Sequence, residues 1–119
     1  MNKRIDLHMH SLFSDGELLP SELARRALKL NHEVIAITDH IDYYNVEEIP
    51  KIQAAIDDIN SNWDITVVLG AEVTHAPTES IDAIAKRAKE LGMIENTIIK
   101  DVATSKNDDE QVSEDIKEE

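Results

Sequence analysis

Two histidines, His8 and His10, stand one residue apart near the N-terminus, and Asp15 follows them in the turn sequence SDG. Residues two apart in a strand project to the same side, so both imidazoles can reach one ion at Zn–N distances of about 2.0–2.1 Å. An isolated pair of this kind is more often a surface feature or satisfied by hydrogen bonds. Asp15 likewise has two interpretations, a plain Asp-Gly turn residue or an oxygen ligand carried back over the strand. Whether His8 and His10 bind a metal ion must therefore be judged from the residues that lie near them.

Two further residues of metal-binding type close other predicted strands. His40 follows the β-branched run VIAIT at 34–38, and Glu72 lies near the end of ITVVLGAEV at 65–73. In parallel α/β folds, ligands bind at the edge formed by the C-terminal ends of the strands. We therefore expect the imidazoles of His8, His10 and His40 and the carboxylate of Glu72 to lie together there. The chain has no cysteine, so any metal must be bound by nitrogen and oxygen atoms.

Three neighbouring residues carry weaker signals. Asp39 either hydrogen-bonds loop amides or orients a ligating histidine, and either role is favoured over direct ligation. His75 lies three residues past Glu72 and is a loop residue by alternation, with ligation only if the strand bends. His32 falls between the first helix and the second strand, at the opposite end of the sheet, and is assigned no function.

The pattern between these residues predicts three strand-helix units. Residues 4–10 alternate, with an apolar face of Ile5, Leu7 and Met9 opposite the face that bears the histidines. Helices are indicated from Pro20 to Asn31, along the isoleucine stripe from Ile49 to Ile59, and from Ile81 to Gly92. Such repetition implies a right-handed parallel α/β arrangement with an aliphatic core.

Length and charge limit the partners. The 119 residues fit one domain, and 25 acidic against 12 basic residues give a formal net charge of −13. This charge disfavours nonspecific nucleic-acid binding and anionic membranes, although bound divalent cations would reverse the local sign. Neither a signal peptide nor a membrane span is recognisable, so a cytoplasmic protein is expected.

The segments DLHMHSLFSDG, PSELARRA, AITDHID and GAE, in this order and spacing, resemble the first motifs of the PHP (polymerase and histidinol phosphatase) superfamily, particularly its small stand-alone phosphoesterases. The resemblance covers about residues 4–92. It implies a distorted, TIM-like (β/α)7 barrel that binds up to three divalent ions, Zn, Mn or Fe, at the strand ends. It further implies that His8 and His10 share one ion with Glu72, that Glu72 bridges to a second, and that Asp15 and His40 help to hold a third.

The chemistry that the resemblance implies is metal-dependent hydrolysis of a small phosphate monoester, similar to that of histidinol phosphatase, with no catalytic residue assigned beyond the metal ligands. Similar proteins continue through further strands and histidines, whereas no histidine follows His75 here. We therefore interpret residues 1–92 as the N-terminal part of a PHP domain, 93–100 as the remnant of a fourth strand, and 101–119 as a disordered acidic tail. Residues 101–119 contain eight acidic and two basic residues, a net charge of 2 − 8 = −6.

Half a barrel would leave a strand edge and the inward face of Val34, Ala36 and Val68 without a partner. Self-association, or pairing with a complementing second half, is therefore expected. Two alternatives to an active hydrolase stay open: a catalytically inactive metal-binding or interaction module, and the product of a disrupted gene.

Overall fold

The computed structural model of the protein describes residues 3–100, so the predicted acidic tail lies outside the described residues. The strands are β1 (Arg4–Met9), β2 (His32–Ile37), β3 (Thr66–Leu69), β4 (Ala71–Val73) and β5 (Ile98–Lys100), and the helices are α1 (Pro20–Lys29), α2 (Ile49–Asn62) and α3 (Ile81–Glu90). Short 3-10 turns precede α2, α3 and β5. Within residues 3–100, no helix has both the length and the apolar character needed to span a bilayer.

All the described strand pairs are parallel. β1, β2 and β3 form one sheet in that order, and β4 pairs with β5. Helices connect β1 to β2 and β2 to β3, as parallel pairing requires. The predicted parallel α/β class is confirmed, and the architecture is consistent with consecutive units of a TIM-like barrel.

The predicted third strand is not continuous, because it is interrupted at Gly70. The Gly70 backbone nitrogen still donates to the carbonyl oxygen of Ile37 at 2.8 Å, and an isolated parallel bridge then pairs His40 with Glu72. A Cβ on Gly70 would lie 2.6 Å from the carbonyl oxygen of Thr97, so only glycine allows this approach. β4 thereby continues the line of β3 while pairing with β5, which falls within the predicted fourth-strand segment.

The helices pack one side of the sheet, as their spacing predicts. All four isoleucines of the α2 stripe are buried, together with β2 and β3 residues that face them: Ile49, Ile52, Ile56, Ile59, Ile35, Ile37, Val67 and Leu69. The chain leaves α1 through Asn31 with φ of 66° and leaves α3 through Gly92 with φ of 107°. Both predicted helix ends are confirmed.

The predicted apolar face of β1 is not buried as a unit. Ile5 and Leu7 are 62% and 61% exposed, and Ile5 lies beside Val34 on a part of the sheet that no described helix covers. The β1–β2 register is irregular between Asp6 and Met9, and this irregularity brings Met9 beside Ile37, where it packs against the core. Simple alternation failed because it ignores such an irregularity and does not say which face the helices cover.

Candidate metal centre

Backbone pairing brings the candidate ligands to one edge of the sheet. His8 is the second-to-last residue of β1 and His10 lies just beyond the strand, while His40 and Glu72 occupy paired positions after β2 and within β4. The Glu72 backbone nitrogen donates to the Asp39 carbonyl at 2.9 Å, and the Ile41 nitrogen donates to the Glu72 carbonyl at 3.0 Å. The backbone segments that carry His40 and Glu72 are therefore held side by side.

The first donor group consists of His8, His10 and Glu72. His8 Nε2 lies 3.2 Å from His10 Nε2 and 2.9 Å from Glu72 Oε1, and His10 Nε2 lies 3.6 Å from Glu72 Oε2. Ligands about 2.0–2.1 Å from a tetrahedral zinc ion are about 3.3 Å from each other. These nitrogen and oxygen atoms thus have the separations and the chemistry of one face of a metal coordination shell.

The second donor group consists of His10, Asp15 and His40. The carboxylate of Asp15 lies between the two rings, with Oδ1 2.7 Å from His10 Nδ1 and Oδ2 3.2 Å from His40 Nε2. The rings of His10 and His40 meet edge to face with centroids 4.5 Å apart. Asp15 is therefore part of the cluster rather than an isolated turn residue.

His10 belongs to both groups but cannot ligate fully in both as a neutral imidazole. Its Nε2 faces His8 and Glu72, and its Nδ1 faces Asp15. If Nε2 supplies the lone pair to the first group, Nδ1 carries the proton and donates it to Asp15. The second group then depends on the other oxygen of Asp15 and on His40, with remaining positions open to solvent or substrate.

The electrostatics of Asp15 agree with this arrangement. Partial burial raises the pKa of the Asp15 carboxyl, but the hydrogen bond with His10 and the charges of His10 and His40 lower it more, so that the net pKa lies below its ordinary value. This direction favours the carboxylate form, which metal binding by an oxygen donor would require.

Asp39 holds the loop that carries Asp15. Its buried carboxylate accepts hydrogen bonds from the Ser11 backbone nitrogen and the Ser11 hydroxyl, both at 2.6 Å, and from the Ser14 hydroxyl at 2.7 Å. These contacts are those of a loop-amide partner, the first of the two predicted roles. Gly16 completes the turn, since a Cβ there would lie 2.3 Å from the carbonyl oxygen of His10.

Thr74 is a site residue that the sequence reasoning missed. Its hydroxyl lies 3.1 Å from His40 Nδ1 and 2.9 Å from His75 Nδ1. His75 is in neither donor group, and its ring lies beside that of His40 with centroids 5.2 Å apart. The one available signal was alternation, because Thr74 stands two residues beyond Glu72.

A cleft of about 380 Å³ opens beside the second donor group. Its lining residues are Ser14, Asp15, His40, Ile41, Asp42, Tyr44, Asn45, His75 and Ala76. The Asn45 carboxamide, in the wall of the cleft, donates a hydrogen bond to the His40 carbonyl oxygen at 3.0 Å. This volume lies at the lower end of the range found for small-molecule sites.

Comparison of the sequence with known proteins identifies a matching family. The PHP domain pattern matches residues 6–91. An uncharacterized protein of Methanocaldococcus jannaschii is 44% identical over 120 aligned positions, which cover 95% of this chain and 55% of that protein. A 5'-3' exoribonuclease of Haemophilus influenzae is 36% identical over 77% of this chain and 39% of its own length.

The DNA polymerase/3'-5' exonuclease PolX of Bacillus subtilis is 32% identical over 65% of this chain, which corresponds to 15% of that protein. No solved structure gives a significant match. The chain thus spans about half the length of the archaeal relative and less of the other two. Because 95% of the chain aligns with the archaeal protein, that match extends into residues 101–119.

Proposed function

Because the chain belongs to the PHP domain family, we propose that it is a divalent-metal-dependent phosphoesterase that acts on small phosphate monoesters. The observation that carries the proposal is the convergence of His8, His10 and Glu72, and of Asp15 and His40, on two adjacent donor groups. When divalent ions are bound to such donors, they neutralise phosphate oxygens and lower the pKa of a coordinated water molecule.

The donor chemistry fits a divalent ion. Nitrogen and carboxylate donors of this kind suit Zn, Mn and Fe, and the shared His10 keeps the two groups adjacent. The His8 side chain is 54% exposed, whereas that of Glu72 is 11% exposed. The centre therefore has a buried carboxylate anchor and a solvent-facing side from which a phosphate group can approach.

The charge of the cleft also supports a role for cations. Its lining includes the carboxylates of Asp15 and Asp42 but neither lysine nor arginine, and the whole chain carries a formal charge of −13. A phosphate group would be repelled from this surface without compensating positive charge. Two bound divalent ions would supply that charge at the place where the ester must react.

A monoester fits this site better than a polynucleotide. Polymer binding normally uses lysine and arginine residues along a groove to contact successive phosphates. The lining of the cleft has neither residue type, and its volume is about 380 Å³. The names of the two bacterial relatives indicate nucleic acid as the substrate of those proteins, so a nucleic-acid substrate is the alternative that the experiment must include.

The test measures metal content and hydrolysis in the same preparations. Wild-type protein supplied with Mn or Zn should bind metal and hydrolyse a generic phosphomonoester, and the His8→Ala/His10→Ala double variant should lose both properties. His32→Ala is the control, because the His32 ring contacts the Ala27 carbonyl at 3.1 Å, away from the centre. Metal binding without turnover of a monoester or a short oligonucleotide would instead favour the inactive binding module.

A further inference from the structure

The cleft beside the second donor group has an aromatic residue in its lining. Tyr44 is 95% exposed, the largest exposed fraction among the large apolar and aromatic side chains of residues 3–100. It lines the cleft together with Asp15 and His40 of the donor group. A ring with this exposure buries little area against the fold, so packing within the described residues does not explain its position.

Hydrogen bonds hold the loop that presents this ring. The Tyr44 backbone nitrogen donates to Asp42 Oδ1 at 2.7 Å, and the Asp42 backbone nitrogen donates to Asn45 Oδ1 at 3.0 Å. The Asn45 carboxamide donates to the His40 carbonyl at 3.0 Å, and Val46, which is 1% exposed, follows in the core. The backbone of Tyr44 therefore has a defined position relative to the candidate ligand His40, while its side chain faces solvent.

Part of the neighbouring lining is apolar. Ile41 and Ala76 line the cleft, and both are buried. Two of the polar lining residues are engaged within the protein, because the Ser14 hydroxyl donates to the Asp39 carboxylate at 2.7 Å and Asn45 donates to the carbonyl after β2. Small-molecule sites typically combine such apolar and aromatic surface with a few fixed polar groups. Beyond the donor group, the cleft thus offers apolar walls and one exposed ring.

We propose that Tyr44 is a specificity-determining residue whose ring stacks on a planar aromatic ring in the alcohol part of the substrate. The proposal rests on the proposed function, which assigns the phosphate end of the ester to the donor groups and leaves the alcohol part to contact the cleft. An aromatic face stacks on another planar ring through dispersion and quadrupole attraction, with little dependence on the identity of that ring. The ring is either an aryl group directly on the phosphate or a base separated from it by a sugar.

The first experiment measures binding without hydrolysis, by calorimetry on zinc-loaded protein. Phenylphosphonate and the methylene phosphonate analogue of adenosine 5′-monophosphate carry a ring, whereas methylphosphonate carries none. Stacking on an aromatic side chain is typically worth about tenfold in affinity. Tyr44→Ala should therefore reduce the preference for a ring-bearing phosphonate over methylphosphonate by about tenfold, and Tyr44→Phe should retain the preference. The ring-bearing ligand that loses affinity identifies the source of the ring.

Tyr43→Ala is the matched control for this measurement. Tyr43 is the neighbouring tyrosine and is 60% exposed, but it is not among the lining residues of the cleft. Its removal should leave all three affinities unchanged. A ring preference that is unaffected in Tyr44→Ala, or that falls equally in Tyr43→Ala, would overturn the proposal. Equal weakening of methylphosphonate and both ring-bearing ligands in Tyr44→Ala would also overturn it, because such a loss does not depend on a ring.

The second experiment compares the hydrolysis of phenyl phosphate, adenosine 5′-monophosphate and glycerol phosphate by the same proteins. In Tyr44→Ala, kcat/KM for a ring-bearing ester should fall about tenfold relative to that for glycerol phosphate. If wild type binds the phosphonates but hydrolyses no ester, the proposed function is refuted, while the binding data still decide the role of Tyr44. If all three esters are hydrolysed and their relative kcat/KM is the same in Tyr44→Ala, the proposed function stands and the role of Tyr44 is refuted. A zinc-loaded wild type that binds none of the phosphonates would refute both.

Discussion

The carboxylate of Asp39 accepts two hydrogen bonds from Ser11, one from the backbone nitrogen and one from the hydroxyl, both at 2.6 Å. The two residues are 28 positions apart, and both are fully or almost fully buried. This contact fixes the loop after β1 against the end of β2. The position of Asp15 therefore depends on Asp39, although the Asp39 carboxylate bonds to the loop serines and to neither donor group.

Replacing Asp39 by Asn should destabilise the protein and loosen the loop. The amide would direct a donor toward groups that already donate, and a buried unsatisfied group costs about 1–3 kcal/mol. Urea unfolding should show this loss, and Zn²⁺ affinity should fall with it. Ser14→Ala is the control, because it removes only one of the three hydrogen bonds to Asp39 and should have a smaller effect on both measurements. Wild-type stability in Asp39→Asn would contradict the assigned role.

Gly16→Ala should weaken metal binding while leaving the overall fold nearly unchanged. The added Cβ would lie 2.3 Å from the His10 carbonyl oxygen and 2.9 Å from the Ser11 carbonyl carbon, and both are backbone atoms that cannot simply rotate away. The turn must shift, and Asp15 must shift with it. We expect weaker Zn²⁺ binding with little change in the circular dichroism spectrum.

Gly92→Ala provides the comparison for that prediction. A Cβ at Gly92 meets nothing within 4 Å, but the φ of 107° strains any other residue. Gly92→Ala should therefore lower thermal stability while leaving Zn²⁺ affinity unchanged. If the two glycine variants affected metal binding equally, the role assigned to the turn at Gly16 would be wrong.

The gathering of the candidate ligands was predictable from sequence because it depends on regular features. The C-terminal ends of parallel strands share one edge, so His10, His40 and Glu72 could be placed together without knowing any distance. The isoleucine spacing was likewise sufficient to predict α2 and its buried face, because apolar residues at helical period all lie on one side of the helix.

The remaining details depend on contacts that no local pattern encodes. Which face of β1 the helices leave open, and hence the exposure of Ile5, depends on the β1–β2 register, which is irregular. The partner of Asp39 is a serine 28 residues away, and Thr74 became part of the site only because His40 and His75 converge on its hydroxyl. Tertiary placement, rather than propensity, decides such roles.

The ion pair between Glu47 and Arg87 should make stability depend on acid pH. Arg87 contacts both Glu47 oxygens, at 2.6 and 2.7 Å, and also reaches Glu90 at 3.1 Å. The hydrogen bond with Arg87 lowers the pKa of Glu47 below its ordinary value of 4.5. A lowered folded-state pKa means that the stabilisation is complete above about pH 4.5 and is lost as the pH falls through the folded-state value.

Glu47→Gln should therefore be less stable than wild type at pH 7 and converge with it in acid. Unfolding midpoints in urea, measured from pH 7 down to pH 3, would show the difference shrinking. Glu79→Gln is a control on an exposed residue for which the structure shows no ion pair among residues 3–100. A constant difference across this pH range would show that the ion pair does not cause it.

The two exposed apolar side chains of β1 lead to a prediction about assembly. Ile5 and Leu7 are more than 60% exposed, and within residues 3–100 β1 pairs only with β2, so its other edge is open. Open strand edges beside apolar side chains promote pairing with another chain. We expect the 119-residue chain to self-associate as its concentration rises, with Ile5→Lys/Leu7→Lys reducing this association in sedimentation velocity experiments. Leu30→Lys is the matched control, since Leu30 is 58% exposed but follows α1, outside the sheet. If wild type stays monomeric at every concentration, or if Leu30→Lys has the same effect as the β1 variant, this face is not the association surface.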